Sequence, residues 1–454
     1  MEILATAANA AGGCIVLRIR LGLTSFVLLS VLGHVKADVP LSAWSPYVLR
    51  SEMRPQFQRR GDGEQQLVIH SDKRPGLAGA WVATVPVQGG RHYQFSCLRK
   101  TELVRSPRRS AVVKIIWQNE AGQLVPGPAD DLARPEYPAD GTPAADDWTP
   151  IGATYQAPDK ATRARIELHL RWAPGGRVIW KQVRLQTTDA TAQRRVRLAT
   201  VHHRPRGKAS AAENRQSFAP LIAEASRQRA DLVCLGEALT MVGTPLSYAE
   251  AAEPIPGPST EYFGELARRH DLYIVAGLLE RSGAAVYNTA VLLGPAGKLV
   301  GKYRKVCLPR EEIEGGVTPG DSYPVFQTRF GKLGMMICWD VHFPEVARGL
   351  STGGAEVIAM PIWGGNPALA RARAIENQVF LVSSTYTDSN RDWMKTGVWD
   401  REGRLLVEGQ KWGTVHVVEV DLAQRKYWKW LGDFKARIHR ERPAAIHTPR
   451  PAPR

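Results

Sequence analysis

Cysteine is scarce in this chain: there are five in 454 residues, and four of them follow residue 37. So few cysteines exclude the disulfide framework that holds many small secreted domains together. Cys234 lies within an apolar segment, and Cys97 falls in a different predicted domain. We therefore expect all of these thiols to be free.

A hydrophobic run long enough for a confident membrane span is also missing. Near the N-terminus the apolar run 21–33 follows Arg18 and Arg20, and small residues around Ala37 offer a cleavage site. This arrangement is typical of a secretory signal peptide. We expect residues 1–37 to be removed, which makes the mature protein secreted or periplasmic. A retained anchor is the alternative.

Motifs for a metal or a nucleotide are absent as well. His202 and His203 are adjacent, so a strand would turn them to opposite faces, and His342 has no partner ligand at metal spacing. No glycine-rich loop of the kind that cradles phosphate occurs in the sequence. We expect neither a cofactor nor a metal.

Positive charge is abundant but spread along the chain. The formal net charge is +16, yet no single patch or motif concentrates it, so we expect no nucleic-acid partner. Part of the excess lies near the C-terminus, in Lys435, Arg437, Arg440 and Arg442. We interpret these residues as part of a solvated basic tail that ends in the Pro-rich residues 444–454.

Residues 38–188 lack a long helical stripe. Their apolar residues come in short alternating runs separated by Gly, Pro and Asp, which predicts strands. The expected fold is an all-β antiparallel sandwich of jelly-roll type. Residues 126–150 are predicted to form a surface loop, and residues 187–195 a linker.

This first module is similar in arrangement to the galactose-binding-like modules of exported bacterial enzymes. Its tryptophans could include a platform for stacking a sugar, although aromatic residues in a sandwich more often belong to the core. The candidates are Trp81, Trp117, Trp148, Trp172 and Trp180. Carbohydrate binding is therefore an open alternative.

Strands and helices alternate between residues 194 and 443. Buried strands such as 232–235 and 333–337 are separated by segments with helical spacing, for example 211–229. This alternation predicts an α/β domain whose helices cover its sheets.

Cys338 ends one of these strands, within the sequence GMMICWDVHFPE. Pro344 suits the first turn of a following helix, with Glu345 near its positive end. Such a strand-to-helix turn exposes a side chain and directs backbone N–H groups toward one point, which suits a nucleophilic thiolate and a developing oxyanion. The alternative is a buried apolar cysteine.

Several ordered motifs favour the reactive cysteine. LVCLGEAL surrounds Glu237, GKYRKVCLP surrounds Lys305, and GMMICWDVHFPE surrounds Cys338. With YNTAVLLGPAGKLVGKYRK and ARAIENQVFLVSST, they resemble the nitrilase superfamily, the carbon–nitrogen hydrolases, over residues 196–443. The resemblance implies a four-layer α-β-β-α sandwich that assembles as a homodimer or a higher homo-oligomer.

The resemblance also implies roles for the residues that match. Amide and nitrile carbons are poor electrophiles, so their hydrolysis needs a strong nucleophile, a base and stabilisation of the oxyanion. Cys338 would be the nucleophile and Glu237 the general base. Lys305 would face the oxyanion, with the backbone N–H of Trp339 as a second donor.

Family members use a second glutamate before a Pro-Gly turn. We assign it to Glu314, which lies nearest that turn, with Glu312 as the alternative. Two residues depart from the common pattern: Gly236 replaces a proline before the base, and Cys307 replaces a histidine after the lysine. Neither change removes a group that the chemistry requires.

The function predicted from these residues is an exported amidase that hydrolyses a non-peptide carbon–nitrogen bond through a cysteine thioester. A nitrilase or an N-carbamoyl amidohydrolase with the same site is the alternative. A secreted carbohydrate-binding protein with an inactive hydrolase scaffold is an alternative of another class. The intact set of Glu237, Lys305 and Cys338 argues against that last hypothesis.

Overall fold

The computed structural model describes residues 38–61, 63–127, 134–208 and 210–443. The predicted signal peptide, 1–37, and the Pro-rich end of the basic tail, 444–454, lie outside these residues. None of the described helices is both long enough and apolar enough to cross a bilayer.

Two antiparallel sheets around one apolar core form residues 38–188. Strand β6 shows why these segments form sheets around a core. Its residues Val113, Ile115 and Trp117 alternate with half-buried residues, so that one face of the strand is buried. The elements are β1 (Ser45–Tyr47), β2 (Gln56–Arg60), β3 (Gln66–His70), β4 (Ala78–Pro86), β5 (His92–Glu102), α1 (Pro107–Ser110), β6 (Val113–Gln118), β7 (Ala139–Asp140), β8 (Thr149–Gln156), β9 (Arg163–Arg171) and β10 (Arg177–Thr188), with 3₁₀ turns at Leu41–Ala43 and Ser51–Met53. The sheet orders are β1-β4-β9-β6 and β2-β3-β10-β5-β8-β7. The jelly-roll type and the likeness to galactose-binding modules stay predictions.

Most of the candidate sugar-stacking tryptophans belong to the core. Trp81, Trp117 and Trp180 are buried. Trp172 is 54% exposed, and the guanidinium of Arg171 lies over its ring at 4.3 Å from the centroid. Trp148 is half-buried, and the ammonium of Lys181 lies 4.2 Å from its ring centroid. Carbohydrate binding stays a prediction.

The second half contains two six-stranded mixed sheets. One has the order β15-β14-β13-β12-β11-β22 and the other β16-β17-β18-β19-β20-β21. Their strands are β11 (Arg195–His202), β12 (Leu232–Cys234), β13 (Tyr273–Ser282), β14 (Ala285–Leu293), β15 (Leu299–Arg304), β16 (Val325–Gln327), β17 (Lys332–Met335), β18 (Val357–Ile362), β19 (Phe380–Thr385), β20 (Gly397–Trp399), β21 (Leu405–Glu408) and β22 (Thr414–Asp421). The helices are α2 (Ala211–Gln216), α3 (Ala219–Arg227), α4 (Tyr248–Ala251), α5 (Pro258–Arg269), α6 (Arg310–Glu314), α7 (Pro344–Thr352) and α8 (Pro367–Asn377), with a 3₁₀ helix at Cys338–His342.

These elements form four layers, helix, sheet, sheet and helix. The inner faces of the two sheets share one core, to which β12 contributes Leu232 and β18 contributes Ile358. Both central strands are buried along their whole length, as expected for parallel strands covered on two sides. The predicted helix 211–229 is instead divided into α2 and α3, because Pro220 begins a second helix.

The C-terminal segment does not form the predicted solvated tail up to residue 443. It consists of β23 (Tyr427–Trp428), β24 (Gly432–Asp433) and α9 (Phe434–Glu441). Arg440 is buried, and its guanidinium pairs with the carboxylate of Asp140 at 3.2 Å. The segment therefore packs against the N-terminal half, and Arg440 has an acidic partner far away in the sequence.

A buried ion pair strengthens the same contact. The guanidinium of Arg425 lies 2.5 Å from the carboxylate of Glu136 and 2.9 Å from that of Asp433. Burial raises the pKa of Glu136, although Arg425 acts in the opposite direction. Because Glu136 is only 6% exposed, the prediction of a simple surface loop for residues 126–150 is wrong at this position.

Replacing Glu136 with Gln should lower the free energy of unfolding. Breaking a buried ion pair costs about 3–5 kcal/mol, and we expect about 3 kcal/mol because Asp433 remains beside Arg425. Urea denaturation measures the change. Glu120→Gln removes an exposed carboxylate from the same half of the chain and is the control. Equal midpoints for the two variants would show that the Glu136 pair contributes no stability.

Candidate active site

Three residues from separate motifs meet where their strands end. Glu237 follows β12, Lys305 follows β15, and Cys338 follows β17. The ammonium of Lys305 lies 2.9 Å from Oε1 of Glu237, and both side chains are buried. The structure therefore brings together groups that are 68 residues apart in the chain.

A second carboxylate contacts the same lysine. Oε1 of Glu312 lies 2.5 Å from Nζ of Lys305, which is itself fully buried. Burial disfavours charge on this ammonium, but Glu237, Cys338 and Glu312 outweigh it and raise the pKa of Lys305 above its ordinary value. Burial also raises the pKa of Glu312. The lysine is therefore a fixed cation held between two carboxylates.

This contact corrects the assignment of the second glutamate. Glu314 is exposed and pairs with Arg310 at 2.6 Å, whereas Glu312 faces Lys305. Both glutamates lie in the short helix α6, where residues two apart point in different directions. Glu314 was chosen because it lies nearer to the Pro-Gly turn in the sequence. In the helix, however, it is Glu312 that points toward Lys305.

Asn288 joins the two carboxylates and was not predicted. Its Nδ2 donates to Oε1 of Glu237 at 2.8 Å and to Oε1 of Glu312 at 3.0 Å. The side chain is buried on β14, and its backbone carbonyl accepts from the N–H of Lys305 at 2.8 Å. Asn288 thus fixes the lysine and both carboxylates at once. In the sequence, the amide of Asn288 within the otherwise largely apolar segment YNTAVLLG could have indicated this role.

Cys338 lies in a turn held by a buried aspartate. Its φ is +44°, in the left-handed region that costs a residue with a side chain about 1–3 kcal/mol. Oδ2 of Asp340 accepts from the N–H of Ile337 at 2.8 Å, and Oδ1 accepts from the N–H of Cys307 at 2.9 Å. The hydroxyl of Tyr303 donates to the same carboxylate at 2.8 Å. Asp340, also not predicted, therefore maintains this turn.

The surroundings of Cys338 disfavour the thiolate. Burial raises its pKa and the carboxylate of Glu237 raises it further, while Lys305 acts in the opposite direction. Oε2 of Glu237 accepts from the N–H of Trp363 at 2.7 Å. A nucleophile in this environment needs an adjacent base, and Glu237 is in place to act as one.

Gly236 has a packing reason to lack a side chain. A Cβ at this position would overlap the hydroxyl of Tyr386. That hydroxyl donates to the backbone carbonyl of Glu237 at 2.8 Å. The proline that is common at this position is therefore replaced by a glycine that admits a tyrosine.

The comparisons with known proteins agree with these motifs. The sequence profile described as "Carbon-nitrogen hydrolase" matches residues 196–429. Omega-amidase NIT2 of Mus musculus is 30% identical over 223 residues, which are 44% of this chain and 80% of that protein. A nitrilase of Pyrococcus abyssi is 42% identical over 179 residues, which are 38% of this chain and 68% of that protein. The chain belongs to the carbon–nitrogen hydrolase family.

Solved structures of family members are similar to part of this hydrolase. Nit3 of Saccharomyces cerevisiae gives a TM-score of 0.45 at 24% identity, covering 52% of this chain and 92% of that one. The amidase of a Nesterenkonia species gives a TM-score of 0.43 at 24% identity, covering 50% and 89%. The predicted membership of the nitrilase superfamily is confirmed by the profile and the relatives.

Within the described residues, no group of three or more His, Cys, Asp and Glu side chains is arranged to hold a metal ion. The four cysteines 97, 234, 307 and 338 are all free. Burial raises the pKa of Cys307 to about 12, so this neighbouring thiol is neutral.

Gly236→Ala should destabilise the enzyme, because the new methyl group overlaps Tyr386. Overpacking of this kind costs about 1–3 kcal/mol. Urea denaturation of Gly236→Ala, Tyr386→Ala and the double variant tests the cause. The double variant should lose less free energy of unfolding than the two single variants together, because the overlapping ring and hydroxyl are gone. Strictly additive effects would contradict this explanation.

Glu312→Gln and Glu314→Gln should have different consequences for turnover. Glu312 hydrogen-bonds to a charged lysine, an interaction worth about 1.5–3 kcal/mol, so its loss should lower kcat by roughly ten- to hundredfold. Glu314→Gln removes the same charge at an exposed position and is the matched control. Steady-state kinetics on one small amide compares the two. A larger loss for Glu314→Gln would refute the assignment.

Proposed function

We propose that this protein is an amidase that hydrolyses a non-peptide carbon–nitrogen bond of a small substrate through a thioester on Cys338. The observation that carries the proposal is the fully buried ammonium of Lys305, held against the carboxylates of Glu237 and Glu312 where Cys338 ends its strand. This arrangement provides a base for the thiol and a fixed positive charge for the oxyanion.

The first half of the reaction forms the acyl-enzyme. Glu237 takes the proton of Cys338, and the sulfur attacks the carbonyl carbon. Lys305 has three N–H donors, two of which are directed to Glu237 and Glu312, so one is left for the oxyanion. The backbone N–H of Trp339, near the start of a short helix, is the second proposed donor. The tetrahedral intermediate collapses as Glu237 protonates the leaving ammonia or amine.

The second half releases the acid. Glu237, again a carboxylate, takes a proton from water, and the oxygen of that water attacks the thioester carbon. Collapse of the second tetrahedral intermediate breaks the carbon–sulfur bond, and the proton returns to the sulfur of Cys338. The products are the carboxylic acid and the regenerated enzyme.

A nitrilase or an N-carbamoyl amidohydrolase is the second candidate, because both reactions can use the same groups and one relative is named a nitrilase. Ammonia release from matched amides, nitriles and N-carbamoyl amino acids separates these activities. An inactive scaffold is less well supported, because Glu237, Lys305 and Cys338 are all in position.

Export and assembly are further parts of the proposal. The run 21–33 after Arg18 and Arg20 supports secretion or export to the periplasm, and the family resemblance supports a homodimer or higher homo-oligomer. N-terminal sequencing of the exported protein should give Asp38 as the first residue. An intact Met1 on exported protein would contradict cleavage.

Three substitutions separate the proposed roles. Cys338→Ala should abolish both turnover and the acyl adduct detected by intact mass. Glu237→Gln should lower kcat by at least about a hundredfold, as expected for the loss of a general base. Lys305→Met should lower it by roughly a hundred- to thousandfold, as expected for the loss of an oxyanion donor.

Cys307→Ala is the matched control for the nucleophile, because it removes a neutral thiol two residues from Lys305. It should keep the adduct at Cys338. If Cys338→Ala retained full amidase activity, the thioester mechanism would be wrong.

A further inference from the structure

A pocket of about 370 Å³ lies at the end of one hydrolase sheet that is remote from the candidate active site. Its lining includes Lys332, which begins β17, and Glu356, which directly precedes the parallel strand β18. From there the two strands run toward Cys338 and toward Trp363, the residue that donates to Glu237. The pocket is therefore separate from the catalytic groups, and its volume is in the range of about 300–1,000 Å³ usual for small ligands.

Three cations and one carboxylate line this pocket. The guanidinium of Arg194 donates to both oxygens of Glu356, at 2.9 and 2.8 Å, so these two charges compensate each other. Lys332 is exposed and has no ion pair within the described part of the chain. The ammonium of Lys435 lies 4.0 Å from the Glu356 oxygen that already accepts from Arg194. Three cations against one carboxylate leave two positive charges in the pocket.

The surroundings of Lys435 show how poorly this cation is compensated. Burial lowers the pKa of its ammonium to about 8, and Arg401 and Arg194 lower it further. Glu356 and Asp433 act in the opposite direction without offsetting this effect. An opposite charge within about 4–6 Å favours the charged form of an ionisable group. A bound anion would therefore stabilise the ammonium of Lys435 more than that of a solvated lysine.

More positive charge surrounds the part of the wall that His439 forms. Burial lowers the pKa of this imidazole to about 4, and four cations act in the same direction: Arg442, Lys435, Arg108 and Arg348. The three arginines come from separate segments, since Arg108 lies in α1, Arg348 in α7 and Arg442 directly after α9. A neutral imidazole still carries one N–H donor. The wall thus offers a hydrogen bond in a region of positive potential.

The lining also contains a buried acceptor, the side-chain oxygen of Gln378. Gln378 is only 1% exposed, and its Nε2 donates to the carbonyls of Ile375 at 2.8 Å and Arg401 at 3.1 Å. Its Oε1 has no hydrogen-bond partner among the residues that the structure describes. Buried polar atoms are usually paired, so a hydroxyl group on a ligand would supply the donor that this atom lacks.

We propose that this pocket binds a small dianionic oxygen ligand with a hydroxyl group, a phosphate monoester or a hydroxy-dicarboxylate, between the hydrolase sheet and α9. Lys332 and Lys435 supply the two positive charges, and a phosphate monoester with a charge of about −1.5 to −2 at pH 7 matches them. Because α9 carries Lys435 and His439, the ligand ties this helix to the start of β17. The site is independent of the reaction at Cys338.

Isothermal titration calorimetry at constant ionic strength tests the site with glycerol phosphate and with malate. Glycerol is the neutral control. We expect saturable one-to-one binding of at least one dianion and no binding of glycerol. The phosphate and dicarboxylate arms identify which anion the pocket accepts. Absence of saturable binding in both arms would overturn the proposal.

Variants locate the binding. Lys332→Gln and Lys435→Gln should each raise Kd, and the double variant should raise it by at least about tenfold, because charged hydrogen-bond donors are lost. Lys298→Gln removes the same charge from an exposed position outside the pocket and is the matched control. Since Lys332 is exposed, Lys332→Gln alone decides the matter if the Lys435 variant does not fold. Equal Kd values for Lys332→Gln and the control would place the anion elsewhere and overturn the site.

Hydrogen exchange tests the position of the ligand in a different way. A saturating dianion should slow amide exchange in α9, residues 434–441, because the ligand ties this helix to the sheet. The slowing should disappear in Lys435→Gln and persist in Lys298→Gln. Binding that leaves exchange in α9 unchanged would contradict the proposed position. Neither measurement requires turnover, so both outcomes are independent of the proposed amidase function.

Discussion

A buried ammonium between two carboxylates is the interaction on which the site depends. Lys305 is fully removed from solvent, and an isolated charge in that position would cost far more than the fold could supply. Glu237 and Glu312 make its charge tolerable, and Asn288 donates to both of them. Each of the four groups therefore requires the others, which explains why a strand end, a loop and a short helix converge on one point.

The sheets set the positions that this cluster requires. Glu237 and Cys338 follow strands in two different sheets whose inner faces pack together. The packing beside Glu237 also requires a glycine at 236, because a side chain there would overlap Tyr386. The turn at Cys338 has an unfavourable φ and is held by three hydrogen bonds to Asp340. Rigid strands thus provide the framework, and buried polar contacts provide the final geometry.

The ordered motifs predicted the family, and resemblance to that family then predicted the base, the cation and the nucleophile at Glu237, Lys305 and Cys338. Spacing alone could not choose between Glu312 and Glu314, since the choice depends on the phase of a short helix. The prediction that Arg440 belongs to a solvated basic tail was wrong for a related reason. Its partner Asp140 lies 300 residues earlier, and only the folded chain brings them together. Long-range polar pairs such as these leave no local pattern in a sequence.

The charges of the site favour a neutral group at the thiol. Around Lys305 two carboxylates face one ammonium, so an anion that approached the thiol directly would meet negative potential. Burial raises the pKa of Glu312, while Lys305 acts in the opposite direction. The backbone N–H of Trp363 donates to Oε2 of Glu237 and so fixes the second oxygen of that carboxylate. The neutral carbonyl of an amide therefore meets less repulsion at Cys338 than a carboxylate would.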